Sequence, residues 1–291
     1  MMDTDFIQIP DCPICSSPNR RKIGLRGDRP ISDLPKLKFL STSDLTLGIW
    51  DCKDCHHIYV DPCPSEKKLF ELYEQQSGMY FEHLQSADLK GFFDLLNENS
   101  NTKGNLLDIG CGNGRILEAA VGWMAVGVEP VASFAASASQ FGKVYPSLDE
   151  VRGKFDAIAI MAVLEHVVDP VSLLKKASSV ANPGALLIIE VPNGHRIDAW
   201  ILDCILRISG RPWTVRTAPL QTPFHLSEFS KKSLILAVQS AGWEVERVWT
   251  IRGNIDYPIP RVINLIFNII QRFGSRFGWG LNLTMLARKP L

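Results

Sequence analysis

The sequence predicts an α/β protein: a mostly parallel sheet with helices on both faces, preceded by a small cysteine-bearing head. Three observations carry this. From Asn105 onward, short apolar runs of strand length alternate with stretches whose apolar residues recur at helical spacing. A glycine-rich turn, Gly110-Cys111-Gly112-Asn113-Gly114, separates the first such strand from its helix. Residues 1–64 instead hold two Cys-x-x-Cys pairs. Strand then helix, repeated, yields a parallel sheet buried on both sides.

In the head, Cys12-Pro13-Ile14-Cys15 and Cys52-Lys53-Asp54-Cys55 each set two thiols on a tight turn. Cys12, Cys15, Cys52 and Cys55 together supply the four sulfur ligands of a structural zinc site. Strand-like stretches at 37–40 and 45–50 would bring the pairs together, and His56 or His57 could replace one thiol. A closed four-ligand site has no open coordination position, so the Zn2+ is expected to fold the head and not to catalyse. Cys63, Cys111 and Cys204 stand at no ligand spacing, and an odd total of seven cysteines suits a disulfide framework poorly. Residues 65–103 follow as a helical linker and part of a substrate cleft, with Leu69, Leu72 and Tyr73, then Phe92, Leu95 and Leu96, at helical intervals.

Residues 104–291 form the main domain. Strands are expected at 106–109, 126–129, 155–160 and 185–191, and helices at 115–121 and Pro170–Val180. An insertion at 195–223, with an amphipathic stretch at 200–208, reads as a pocket wall. An apolar segment at 260–278 places Val262, Ile263, Ile266, Phe267, Ile270 and Phe273 on one helical face, which suits a lid, a core or a dimer contact and, less commonly, a membrane interface.

The glycine turn lets backbone approach a ligand closely. A dinucleotide fingerprint would require glycine where Arg115 stands, and Asp108 at the strand end opposes phosphate. That acid suits a cation such as an α-amino group. About twenty residues further on, Glu129 ends the next strand, where a carboxylate accepts hydrogen bonds from ribose hydroxyls. An amino acid plus a ribose, without phosphate, describes S-adenosylmethionine.

With these motifs in order, the sequence resembles class I S-adenosylmethionine-dependent methyltransferases over about residues 104–289. The resemblance implies a Rossmann-like seven-stranded sheet whose final strand, 281–289, runs antiparallel. It places Asp108, Gly110 and Gly112 in the cofactor loop, Glu129 on the ribose and Leu148 beside the adenine. Ala162 and Leu164 would line the cofactor, and Glu165-His166 would cap the next helix. Joined to the four-cysteine head, the core is similar to zinc-containing sugar C-methyltransferases without their C-terminal domain. That similarity implies Tyr80, Glu82 and His225 around a nucleotide-linked sugar of surface-polysaccharide or natural-product biosynthesis.

Methyl transfer from a sulfonium is an in-line displacement, and a base is needed only for hydroxyl or carbon acceptors. His225, in Thr222-Pro223-Phe224-His225-Leu226-Ser227 at the edge of the insertion, is the candidate base. Tyr80, Glu82 and His83 lie between head and core, where a two-domain protein would bind a small-molecule acceptor.

Other classes are constrained by composition. Thirty-one basic residues balance thirty-one acidic ones, which disfavours nucleic acid and a zinc-headed rRNA methyltransferase. A quinone or lipid-type O-methyltransferase at a membrane surface is the alternative that the apolar segment favours. A non-enzymatic zinc interaction module is opposed by the intact Asp108-to-Glu129 set. The N-terminus carries no basic segment followed by an apolar one, and no run reaches about 18 apolar residues. Cytoplasmic residence is expected, with peripheral membrane contact and the oligomeric state left open.

Overall fold

A computed structural model describes residues 5–27, 46–80, 89–100, 103–221, 223–252 and 261–291, apart from the side chains of 75–80 and 263. The strand expected at 37–40, the side chain of Tyr80, and Glu82 and His83 lie outside the described residues.

The head is built from β1 (Phe6–Ile7), β2 (Arg20–Gly27), β3 (Thr46–Cys52), β4 (Ile58–Asp61) and β5 (Cys63–Pro64). Strands β2, β3 and β4 form an antiparallel meander, and β1 pairs with β5. The linker is two helices, α1 (Glu66–Tyr80) and α2 (Leu89–Asn99).

Then follow β6 (Asn105–Ile109), α3 (Arg115–Ala119), β7 (Met124–Val128), α4 (Ala132–Ala138), β8 (Lys143–Tyr145), β9 (Phe155–Met161), α5 (Pro170–Val180) and β10 (Ala181–Pro192). The chain continues through α6 (Ile197–Ile208), β11 (Ser227–Glu228), α7 (Lys231–Ser240), β12 (Glu244–Ile251), α8 (Arg261–Gly274) and β13 (Asn282–Arg288). The large sheet has seven strands in the order β12-β13-β10-β9-β6-β7-β8, as the resemblance implies. Strands β10, β9, β6, β7 and β8 are mutually parallel, and β13 runs antiparallel to both its neighbours.

The central strands are apolar nearly throughout because the sheet is covered on both faces. Along β6, β9 and β10, Leu107, Ile158, Ile160, Leu187 and Ile189 face a core shared with α5 and α7. Leu106, Ala157, Ala159, Leu186 and Ile188 face the other side, against Phe92 and Leu96 of α2 and Ile116 of α3.

Head and main domain are knitted together. β11, which follows the insertion, extends the head sheet by pairing with β4. Ser230, whose side chain caps α7, also donates its hydroxyl to the Cys55 carbonyl at 2.6 Å. The cysteine knot accordingly shares a core cluster with Leu107, Ile160 and Phe229.

Two expectations need correction. Glu165-His166 does not cap the next helix; Asp169 does, accepting from Ser172 N at 2.9 Å, with Pro170 in the first turn. The apolar row of α8 is also rotated: Phe267 is buried, while Val262, Leu265, Ile266, Ile269 and Phe273 are exposed. No helix among the described residues is long and apolar enough to cross a membrane.

Candidate active site

The predicted cofactor residues converge on the carboxyl edge of β8, β7, β6 and β9, which are neighbours in the sheet. Gly110 and Gly112 follow β6, Glu129 follows β7, Leu148 follows β8 and Ala162 follows β9. Gly110 has φ +74°, and a Cβ there would lie 2.4 Å from Val163, so only glycine lets the β6 and β9 loops meet. Gly114, at φ +87°, would likewise strike the Ala138 backbone of α4 at 2.8 Å.

Glu129 braces this loop. Gly112 N donates to its Oε2 at 3.0 Å and Val131 N to its Oε1 at 2.9 Å. Each carboxylate oxygen retains capacity to accept a second bond. Asp108, 2% exposed, has its pKa pushed up to about 7 by burial and by the neighbouring Glu129 charge. Glu129 is raised as well, chiefly by burial. Two buried acids at the mouth of a glycine loop call for a cation, which fits the aminoacyl end of S-adenosylmethionine. Ala162, exposed and at φ 56°, faces this edge. Leu164 is fully buried in the core, so it supports the loop and offers no surface to a ligand.

Beside β9 lies a second cluster, which the sequence had not assembled. Glu165, 1% exposed, has neither carboxylate oxygen hydrogen-bonded. Its Oε1 stands 3.8 Å from His225 Nε2 and 3.9 Å from His166 Nε2. The two imidazoles meet edge to face at 4.8 Å. Tyr73, on α1, sets its hydroxyl 2.8 Å from His166 Nδ1, and the Phe224 carbonyl lies 3.3 Å from the same nitrogen. Burial pushes Glu165 up to about 8 and His166 down to about 4. His225 is held well below its ordinary value by burial, with His166 and Arg196 adding to the effect.

The loop carrying His225 is stitched at both sides. Leu226 N donates to the Glu165 carbonyl at 2.7 Å, and Val60 N of β4 donates to the Leu226 carbonyl at 3.1 Å. Phe224 is fully buried, at φ 61°, with its ring 5.0 Å from Tyr73. A bulky residue in the left-handed region persists only where its surroundings over-determine it. Arg216, buried, closes the insertion by bonding Asp203 at 2.9 Å and Glu228 at 3.3 Å.

Among the described residues, two groups have donor atoms within 4.8 Å of one another: the four head cysteines, and Glu165 with His166 and His225. In the head, Cys12 Sγ–Cys55 Sγ and Cys15 Sγ–Cys52 Sγ are both 3.5 Å. Sulfurs bound to one tetrahedral zinc at about 2.3 Å stand at about that spacing, and disulfide sulfurs are much closer. The four thiols therefore fit the ion. His56 and His57 do not join the set: His57 is buried against the Phe229 ring at 4.7 Å, and His56 faces Asp51.

A family model described as a methyltransferase domain matches residues 80–248. The chain belongs to this methyltransferase family. The match takes in the glycine loop, Glu129, Glu165 and His225, and leaves the cysteine head outside. Among curated proteins, a ubiquinone biosynthesis O-methyltransferase of Bradyrhizobium sp. (strain ORS 278) is 29% identical over an alignment of 157 residues that covers 47% of this chain and 60% of that protein. The same enzyme of Nitrobacter winogradskyi is 35% identical over 100 residues, covering 30% of this chain and 38% of its own length. The chain thus spans only part of these relatives.

Solved structures agree on the fold. A SAM-dependent methyltransferase of Thermotoga maritima superposes with TM-score 0.50 at 19% identity, over 76% of this methyltransferase chain and 98% of its own. A chain from the Haloferax volcanii complex of the Trm112 methyltransferase activator with its methyltransferase gives 0.52 at 14% identity, over 76% and 98%.

Proposed function

We propose that this chain transfers a methyl group from S-adenosylmethionine to a hydroxyl of a small-molecule acceptor, with His225 as the base. Glu165 is the observation that carries the reading: a carboxyl group 1% exposed, unpartnered, and 3.8 Å from an imidazole that keeps 23% of its side chain open. Buried carboxyls of this kind tune the chemistry of a neighbour. The curated relatives, named as O-methyltransferases, support a hydroxyl acceptor.

The cofactor, when bound, supplies a sulfonium methyl open to in-line displacement. Asp108 would pair with its α-ammonium group, Glu129 would accept from its ribose hydroxyls, and Gly110 and Gly112 would admit it against the backbone. Leu148 would lie beside the adenine, and Ala162 would line the cofactor. His225, neutral at pH 7, removes the acceptor proton, and Glu165, ionising as pH rises through about 8, stabilises the resulting imidazolium. Tyr73 and the Phe224 carbonyl fix the His166 ring behind it. Cys12, Cys15, Cys52 and Cys55 would hold a structural Zn2+, which would supply a cross-link for the head.

A hydroxyl acceptor is preferred to the carbon of a nucleotide-linked sugar because the matched curated relatives are named as O-methyltransferases. The test is transfer of labelled methyl to a panel of simple catechols and nucleotide-linked ketosugars. O-methylated catechol, lost by about 100-fold or more in His225→Ala, is expected. Label on a sugar carbon, or full turnover in the variant, overturns the reading.

A further inference from the structure

A helix on a protein surface ordinarily buries its apolar stripe. Helix α8 does the reverse. Toward α6 it presents Asn264, Phe267 and Gln271, all buried. Phe267 packs with Ala199, Leu202 and Leu206 of α6. Gln271 Nε2 donates to Asp198 Oδ1 at 2.5 Å, and Arg196 Nε lies 3.3 Å from Oδ2 of the same fully buried acid. The polar contacts thus fix which way the helix faces.

Outward, α8 leaves Val262, Leu265, Ile266, Ile269 and Phe273, each between 48% and 68% exposed. Their spacing makes one continuous stripe. Phe277 and Trp279 extend it beyond the helix end, and α6 alongside leaves Trp200 and Ile208 open. Monomeric proteins rarely expose contiguous apolar patches of this kind unless something covers them.

Charge says what covers this one. Residues 257–291 contain no aspartate or glutamate. Arg261, Arg272 and Arg276 are exposed along the stripe, as are Arg207 and Arg211 at the end of α6. The acids of α6 are engaged inward, Asp198 with Gln271 and Asp203 with Arg216. A symmetric contact between two copies through this patch would set arginines against arginines, with no acid of residues 257–291 to offset them. A helix of 14 residues is about 21 Å long, too short to span a bilayer but suited to lie in its interface.

We propose that α8 docks the protein on an anionic lipid surface, with its apolar stripe in the acyl boundary and its arginines on the headgroups. This holds whatever the acceptor proves to be. The test is co-sedimentation of the full chain with vesicles of phosphatidylcholine alone, or of phosphatidylcholine with phosphatidylglycerol, at low and high salt. Binding is expected only with phosphatidylglycerol, and weaker in salt. Arg272→Glu with Arg276→Glu should lower the vesicle partition coefficient by more than about tenfold. Leu265→Gln with Ile269→Gln should abolish binding while the melting temperature and S-adenosylmethionine affinity stay unchanged. A wild type that stays in the supernatant with both vesicles overturns the proposal, as does sedimentation indifferent to the glutamine pair. So does a dimer in solution that the same pair converts to a monomer.

Discussion

Asp108 offers the sharpest test of the cofactor site. Burial beside Glu129 raises its pKa to about 7, so near neutrality the unliganded site is half protonated. An ammonium group binds the carboxylate and gains little from the acid. The competent fraction of the site is about 0.09 at pH 6 and about 0.91 at pH 8, and about half the ligand has lost its ammonium proton at pH 8, so apparent affinity should rise about fivefold, or about 1 kcal/mol, across that interval. The sign for stability is opposite. Because the folded state keeps a proton that the unfolded chain has released, unliganded stability falls as pH rises from about 4 towards about 7. Titration calorimetry at pH 6, 7 and 8 reads the affinity, and buffers of different ionisation enthalpy read the proton released on binding. The ligand's own α-amino group titrates near 8 and turns the profile over there. Asp108→Asn keeps the shape and removes the carboxylate, so the difference between the two profiles isolates Asp108. A flat wild-type profile, or the same slope in Asp108→Asn, would refute the electrostatic reading of the glycine loop.

Two further outcomes bear on the other sites. Turnover should climb as pH rises through about 8, where Glu165 ionises and supplies a counter-charge to His225; Glu165→Gln should remove that climb from the pH–rate profile. Removing the proposed zinc with a chelator, or replacing Cys52 with serine, should lower the melting temperature and reduce turnover, whereas S-adenosylmethionine affinity measured by calorimetry should change little, because the glycine loop is braced from within the main domain by Glu129 and Val163.

How much of this was legible depended on whether the deciding contacts were local. Strands β6, β9 and β10 are read directly because both their faces are buried, leaving apolar runs that nothing else explains. The acid–glycine–acid spacing is likewise local, and Asp108, the glycine loop and Glu129 do meet at one sheet edge. β11 could not be read: two residues, Ser227-Glu228, carry no periodicity, and their pairing with β4 is set by chain far away. Glu165 was misassigned because a carboxylate near a helix start looks like a cap, although Asp169-Pro170 carried the stronger cap signal. For α8, composition gave the helix, but the choice of outward face rests on Gln271 reaching Asp198, a partner 73 residues away.

These non-local contacts also explain why a metal-binding head outside the methyltransferase match would matter to catalysis. The stretch from Phe224 to Ser230 is held on one side by the Glu165 carbonyl and on the other by β4 and the Cys55 carbonyl. His225 is therefore positioned between the end of β9 and the cysteine knot, and a shift of either moves it relative to Glu165. Positioning errors of about 1 Å suffice to cost a base its effectiveness. On the proposed reading, a zinc-linked head would steady the loop of His225 through the Cys55 carbonyl, which accepts from Ser230.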